Sequence, residues 1–274
     1  MSKIKEMIDI HCHILPGLDD GPGSLGEALD MCRAAAADGI KTIVATPHFR
    51  HGMYEFTGRK VIDTVNILET AARDEGLDLR ILPGAEVAVS AEMPSYFKKG
   101  RYLTLNNNGR YFLAELPPLS VPPHWDIFLL SLLSSGLTPI IAHPERNDWF
   151  MNHPDALVSA VGRGLLVQIT AMSITGGLGV EARDFSAYLL RHNLVHAIAS
   201  DAHSADFRRP VLSEASGIAA DLVGREKAED MVKTVPQAII EGRDIPALGP
   251  VRHGYPENTQ KRKWFTRLFR GGER

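Results

Sequence analysis

Met7-Ile8-Asp9-Ile10-His11-Cys12-His13 runs from a short, largely apolar stretch straight into two histidines one residue apart. Residues 7–10 are too few for a core helix, so they read as a buried strand, with the His-x-His pair where the chain leaves it. Six more such runs follow: Lys41–Ala45, Leu79–Val87, Tyr111–Leu116, Thr138–Ala142, Leu165–Ile169 and Val195–Ala199. Most end as the first does, on side chains able to hold a metal. Thr46-Pro47-His48 follows the second and Gly84-Ala85-Glu86 closes the third. Ala114-Glu115 lies at the end of the fourth, Ala142-His143 at the fifth and Ser200-Asp201-Ala202-His203 after the seventh.

Between the runs lie segments with helical apolar spacing: Leu25–Ala37, Val61–Arg73, Ile127–Leu133, Ala156–Val161, Ala182–Leu190 and Leu212–Leu222. Several stop at a glycine (Gly39, Gly76, Gly136, Gly164), the residue that most readily closes a helix. Strand then helix, repeated without a break in composition, predicts parallel strands joined by right-handed crossovers. The expected fold is α/β, a closed or nearly closed barrel of seven such units forming a single domain over residues 1–247. Asn106–Gly109 reads as a turn, and residues 117–123, with four prolines, as a rigid loop.

In a parallel barrel the strand C-termini share one face, so these ligands converge although they lie up to about 190 positions apart. Five histidines (His11, His13, His48, His143, His203) and four carboxylates (Asp20, Glu86, Glu115, Asp201) are too many for one ion, which implies two or three. Imidazole and carboxylate donors without thiolate suit Mn²⁺, Fe²⁺ or Zn²⁺. Multi-metal sites of this kind suit phosphoester hydrolysis, with amide hydrolysis open on the same chemistry. Two arginines tilt the reading toward phosphate: Arg146 in the loop of His143 and Arg209 in that of His203, with Lys41 and Arg50 weaker candidates. Neither Cys12 nor Cys32 has an arginine at the Cys-x5-Arg offset, which excludes a cysteine-nucleophile phosphatase of that type.

Net charge is −3, from 30 basic and 33 acidic residues, and points to no nucleic-acid partner. Two cysteines fit a reducing, cytoplasmic setting, and no run of about 18 apolar residues suggests a membrane span. Residues 248–274 read as an appendix, in which Lys261–Arg270 alternates cations with Trp264, Phe265, Leu268 and Phe269. As a helix that stretch would suit peripheral contact with the anionic inner face of the plasma membrane, against the alternative of a solvated terminus.

At His11-Cys12-His13-Ile14-Leu15-Pro16-Gly17-Leu18-Asp19-Asp20-Gly21-Pro22, with Thr46-Pro47-His48, Gly84-Ala85-Glu86, Ile141-Ala142-His143-Pro144-Glu145-Arg146 and Ala199-Ser200-Asp201-Ala202-His203, the chain resembles the polymerase and histidinol phosphatase (PHP) superfamily. Within it the likeness is to the bacterial manganese-dependent protein-tyrosine phosphatases of capsule and exopolysaccharide operons. The resemblance implies a distorted seven-stranded (β/α)7 barrel and a site of three divalent ions, most naturally Mn²⁺, held by His11, His13, Asp20, His48, Glu86, Glu115, His143, Asp201 and His203, with Glu86 bridging two of them. It also implies phosphate held by Arg146 and Arg209, with Arg208-Arg209-Pro210 leaving the register of the second arginine open by one residue, direct hydrolysis of phosphotyrosine without a phosphoenzyme, and as partner the tyrosine-rich tail of a bacterial tyrosine autokinase. Two alternatives stand beside it: a phosphoesterase acting on a small metabolite such as histidinol phosphate, and a metal-dependent module that binds phosphotyrosine without hydrolysing it.

Overall fold

β1 (Met7–Cys12) is buried along its whole length, as a strand covered on both faces must be, and pairs in parallel with β2 (Ile40–Ala45). The structure, a computed structural model, describes residues 6–246 and 249–251. The remaining strands are β3 (His48–Phe49), β4 (Arg80–Pro83), β5 (Glu86–Ala88), β6 (Tyr111–Glu115), β7 (Thr138–Ala142), β8 (Leu166–Thr170) and β9 (Ala197–Ala199). Every pairing between them is parallel, in two ladders ordered β1-β2-β4 and β3-β5-β6-β7-β8-β9. The fold is therefore α/β, with a curled parallel sheet.

The seven expected runs thus appear as nine strands: Leu79–Val87 divides in two, and His48–Phe49 forms a further short strand beyond the end of Lys41–Ala45. Pro47, which has no N–H to give a ladder, separates β2 from β3. Gly84-Ala85 separates β4 from β5, and there a Cβ on Gly84 would come within 2.8 Å of Val44 Cγ1. Beyond β9, Asp201 N donates to His11 O and His13 N to Ala202 O, both at 2.8 Å, so the last segment lies alongside the first.

The helices begin where side chains cap them. Ser24 accepts from Glu27 N ahead of Leu25–Asp38, and Thr57 from Lys60 N ahead of Gly58–Asp74. Gly39 ends the first at φ 99°, a conformation a residue with a Cβ resists. Helices at Trp125–Leu133, Pro154–Gly162, Val180–Arg191 and Ser213–Val223 match the expected segments to within a few residues, whereas Arg225–Val232 and Thr234–Ile240 were not expected.

Alternation along the strands divides the core in two. Ile8, Ile10, Val44, Leu113, Ile140 and Ala199 pack with Val235, Ile239 and Ile240 of the last helix, while Met7, Ile43, Ile141, Val167 and Ile198 face the outer helices. The expected turn at Asn106–Gly109 is tied to that last helix, Asn106 Nδ2 reaching Ile240 O at 2.9 Å and Asn108 Nδ2 reaching Ile239 O at 2.7 Å. Among the described residues, no helix is long and apolar enough to cross a membrane. The basic and aromatic stretch Lys261–Arg270 lies outside the described residues.

Candidate metal centre

The strand ends do converge. His11 leaves β1 where the register slips between Asp9 and Cys12, a bulge that re-aims side chains at the sheet's rim. Its Nε2 lies 3.1 Å from His13 Nε2, 3.3 Å from Glu86 Oε2 and 3.5 Å from Asp201 Oδ1. His13 Nε2 stands 3.4 Å from Glu86 Oε2 and 3.5 Å from Asp201 Oδ1. His143 Nε2 approaches the other oxygen of Glu86 at 2.7 Å, and His48 Nδ1 approaches Oε2 at 2.9 Å. Farther out, Glu115 Oε2 is 3.7 Å from His48 Nδ1, and Asp20 Oδ1 is 3.6 Å from His48 Nε2 and 3.4 Å from His203 Nε2.

All nine expected ligand residues fall into four overlapping groups, each compact enough to hold one ion: His13, Asp20, His48 and His203; His11, Glu86 and His143; His11, His13 and Asp201; His48, Glu86 and Glu115. Cys12 takes no part: its sulfur is buried against Ala202 O at 4.0 Å. His143 and Asp201 hold positive φ of 33° and 52°. Such backbone is strained for residues with a Cβ and concentrates at functional sites.

The donor set fits divalent cations. His48 Nδ1, Glu86 Oε2, Glu115 Oε2 and His203 Nε2 are buried with no hydrogen-bond partner, although buried polar atoms are normally satisfied. Behind them, acceptors hold the far nitrogens of three rings. His11 Nδ1 faces Gln168 Oε1 at 2.8 Å, His13 Nδ1 faces Asp19 Oδ2 at 2.6 Å, and His203 Nδ1 faces Asp201 O at 3.0 Å. Each partner draws the proton to Nδ1 and leaves Nε2 as a lone-pair donor toward the cluster, the usual support of metal-bound histidine.

The electrostatics agree. Burial alone would raise the carboxyl pKa of Glu86 and Asp201, yet the surrounding imidazoles, with Arg208 beside Asp201, hold both well below the carboxylate range. Burial alone would lower His13 and His143, yet Asp19 for the first and Glu86 for the second raise them. Asp20 is lowered, first by its contact with His203. The cluster holds its carboxylates as anions and favours positive charge beside them.

Two arginines supply some. The turn Pro144–Arg146, closed by Arg146 N donating to His143 O at 3.0 Å, folds Arg146 back so that Nη1 meets Asp201 Oδ2. On the other side it is Arg208 Nη2 that reaches Asp201 Oδ2, at 2.6 Å. Arg209, expected to face the site, is exposed instead. The reason is local: His203 N donates to Arg208 O at 2.9 Å, closing the loop so that residue 208 points inward and 209 outward. Lys41 is remote, paired with Asp78, whereas Arg50 Nη2 meets Glu115 Oε1 at 2.6 Å.

Gln168 and Asp9, whose Oδ1 accepts from Ser200 N at 3.0 Å, escaped the sequence reading, whereas Asp19 and Arg208 stood in it as the neighbours of Asp20 and Arg209. Gln168 left one trace, as the sole polar side chain in the apolar run Leu165–Ile169. Of the unassigned histidines, His51 pairs with exposed Glu55, His153 stacks on Trp149 at 4.4 Å, His192 lies 4.0 Å from Tyr188 and His196 is buried. His253 lies outside the described residues. Trp125 is buried against Phe150, ring centroids 5.1 Å apart, which makes it a packing residue.

Fold and site together define an α/β protein that gathers histidines and carboxylates able to hold metal ions at the C-terminal ends of its strands. The chain belongs to the family described as "Capsular polysaccharide synthesis, CpsB/CapC", which it matches over residues 7–241. It is 39% identical to the tyrosine-protein phosphatase YwqE of Bacillus subtilis (strain 168) over 202 residues, 74% of this chain and 79% of that protein. It is 32% identical to the tyrosine-protein phosphatase CpsB of Streptococcus pneumoniae over 239 residues, 85% of this chain and 98% of the relative. The structure superposes with a TM-score of 0.85 and 35% identity, over 90% of this chain and all of the other, on a crystal structure from work on Bacillus subtilis YwqE and Streptococcus pneumoniae CpsB, described as unique metal-dependent tyrosine phosphatases.

Proposed function

We propose that the protein is a metal-dependent protein-tyrosine phosphatase whose substrate is the phosphorylated tyrosine-rich tail of a bacterial autokinase acting in capsule or exopolysaccharide synthesis. The observation that carries this reading is the convergence of nine ligand side chains on one rim with four orphaned donor atoms among them. Kinship with YwqE and CpsB supports it.

His11, His13, Asp20, His48, Glu86, Glu115, His143, Asp201 and His203 would hold the ions, for which the four overlapping groups offer places; three ions and Mn²⁺ are the number and metal that the PHP resemblance implies. Bound divalent ions supply an activated water and neutralise phosphoryl oxygens. The chain's own residues do the rest. Arg146 and Arg208 place two guanidinium groups beside Asp201, positioned to grip phosphate and to strengthen that grip as charge builds on the oxygens. Gln168 and Asp19 keep His11 and His13 in the ligand tautomer. No side chain need form a covalent intermediate.

The finer barrel reading belongs to the same proposal: β2 with β3 and β4 with β5 act as single bent staves, and the bonds between the exits of β1 and β9 support closure of a seven-membered ring. A domain ending near residue 247 and a cytoplasmic location accord with it.

The test is hydrolysis of a phosphotyrosine peptide and of histidinol phosphate by metal-stripped protein reconstituted with Mn²⁺, beside His143→Ala. Peptide turnover restored by metal and lost in the variant is expected. Turnover of the metabolite alone would overturn the substrate.

A further inference from the structure

Next to the cluster lies a slot of 150 Å³ that the metal-centre reading does not use. Glu115 and His143 belong to both, so whatever fills the slot abuts the ligands directly. Its walls differ in character. Arg50 and Arg146 contribute guanidinium groups, whereas Leu116, Pro118, Ala142 and Phe150 contribute carbon. Leu116, Ala142 and Phe150 are 5%, 4% and 0% exposed, so the apolar wall is set by the core, while Arg50 and Pro118 stand at the open side.

Rigid parts build this wall. Leu116 directly follows β6, and Ala142 ends β7. The loop carrying Pro118 is pinned at two points, with Asp148 N donating to Pro118 O at 3.0 Å and Asn147 Nδ2 to Pro117 O at 2.6 Å. Arg50 is held by Glu115 and by a small hairpin in which Arg50 N donates to Tyr54 O at 3.1 Å and Tyr54 N to Arg50 O at 2.9 Å. A preformed slot needs no ordering when a ligand enters.

We propose that this slot is the aryl subsite: it receives the ring of an aryl phosphate monoester whose phosphoryl group lies against Arg146 and the cluster. This deepens the phosphatase reading and rests on it for the position of the phosphoryl group. An apolar cavity of about 150 Å³ holds one benzene ring. A guanidinium at the rim favours an aromatic face over an alkyl chain. An alkyl monoester leaves the wall of Leu116, Pro118 and Phe150 unfilled, so the slot separates phosphotyrosine from phosphoserine and from small aliphatic phosphates by shape.

The test compares two non-hydrolysable anions, phenylphosphonate and methylphosphonate, on Mn²⁺-loaded full-length protein by titration calorimetry. They share the phosphonate head and differ in the ring. The wild type is expected to bind the phenyl compound at least about 10-fold more tightly. Leu116→Ala should narrow that ratio to about threefold or less with methylphosphonate affinity unchanged, and Pro118→Ala, at an exposed position, should narrow it partly if the first variant fails to fold. Equal binding of the two anions by the wild type, or a ratio untouched by either variant, would overturn the subsite. A preserved ratio in a wild type that hydrolyses no aryl phosphate would keep the subsite and sink the catalytic reading instead.

Discussion

Asp19 Oδ2 lies 2.6 Å from His13 Nδ1 and 2.9 Å from the backbone nitrogen of His48, so one carboxylate sets the orientation of two ligands from different strands. Its other oxygen accepts from Gly21 N at 3.0 Å, which fixes the turn that presents Asp20. Asp19→Ala is therefore expected to lower metal affinity by about 10–100-fold without removing a ligand. Competition against a chromophoric chelator measures this, and wild-type affinity in the variant would refute the orienting role.

Arg208 and Arg209 separate cleanly. Arg208 reaches Asp201 and Arg209 is exposed, so Arg208→Ala should reduce kcat/KM on a phosphotyrosine peptide by about 100-fold. Arg209→Ala should stay within about twofold. Steady-state kinetics of the two variants side by side would expose a reversed assignment at once.

Metal loading should also be visible in stability. Glu86 and Asp201, buried as anions, are stabilised by cations that bind only the folded chain. At metal concentrations about 100 times Kd the gain is about 2.7 kcal/mol, or several degrees in Tm. A thermal melt before and after chelation reads it, and a Tm indifferent to chelation would contradict the site.

His196 gives a pH dependence remote from the cluster. Burial pushes its pKa down from 6.5 to about 4, and its Nδ1 accepts from Val167 N at 3.1 Å, which requires the unprotonated nitrogen. The unfolded chain takes up a proton below 6.5 while the folded ring stays neutral until about 4. Stability is thus fully present above pH 6.5 and declines as pH falls toward 4, by about 3 kcal/mol. In urea titrations at pH 7 and pH 4, His196→Asn should lose that much less than the wild type; identical losses would show that the ring does not titrate on unfolding.

Gly84 is expected to tolerate no side chain. A Cβ there meets Val44 Cγ1 at 2.8 Å and Leu105 Cδ2 and Thr46 Cγ2 at 3.2 Å each, so Gly84→Ala should cost about 1–3 kcal/mol by overpacking. Chemical denaturation measures it.

What could be read from the chain was whatever local chemistry dictates. The candidate ligand residues that the structure gathers were visible because nearly all of them lie at or just after the end of an apolar run, Asp20 excepted, and that ordering survives however the strands pair. The split of Leu79–Val87 was not visible, because it depends on how close Val44 comes to Gly84 across the sheet, a contact between residues 40 apart. Gln168 was missed for the same reason, and Asp19 was legible only as a turn residue, its bonds to His13 and His48 being named by the fold alone. The sequence named Arg209 but left the choice between it and Arg208 open, because a one-residue register depends on the closure of a loop onto His203 N. Arg225–Val232 and Thr234–Ile240 went unread as helices; their apolar positions Ala228, Met231, Val232, Val235 and Ile239 gain meaning only against the strands they cover.

The last helix carries a consequence for traffic. Val235, Ile239 and Ile240 fill the space against Ile8, Ile10, Val44 and Ala199, so the sheet's inner face is packed solid beneath the ligands. On the proposed function, arriving phosphoester and departing phosphate would then share one doorway on the ligand side, and a phosphate held between Arg146 and Arg208 would stand in the way of the next substrate.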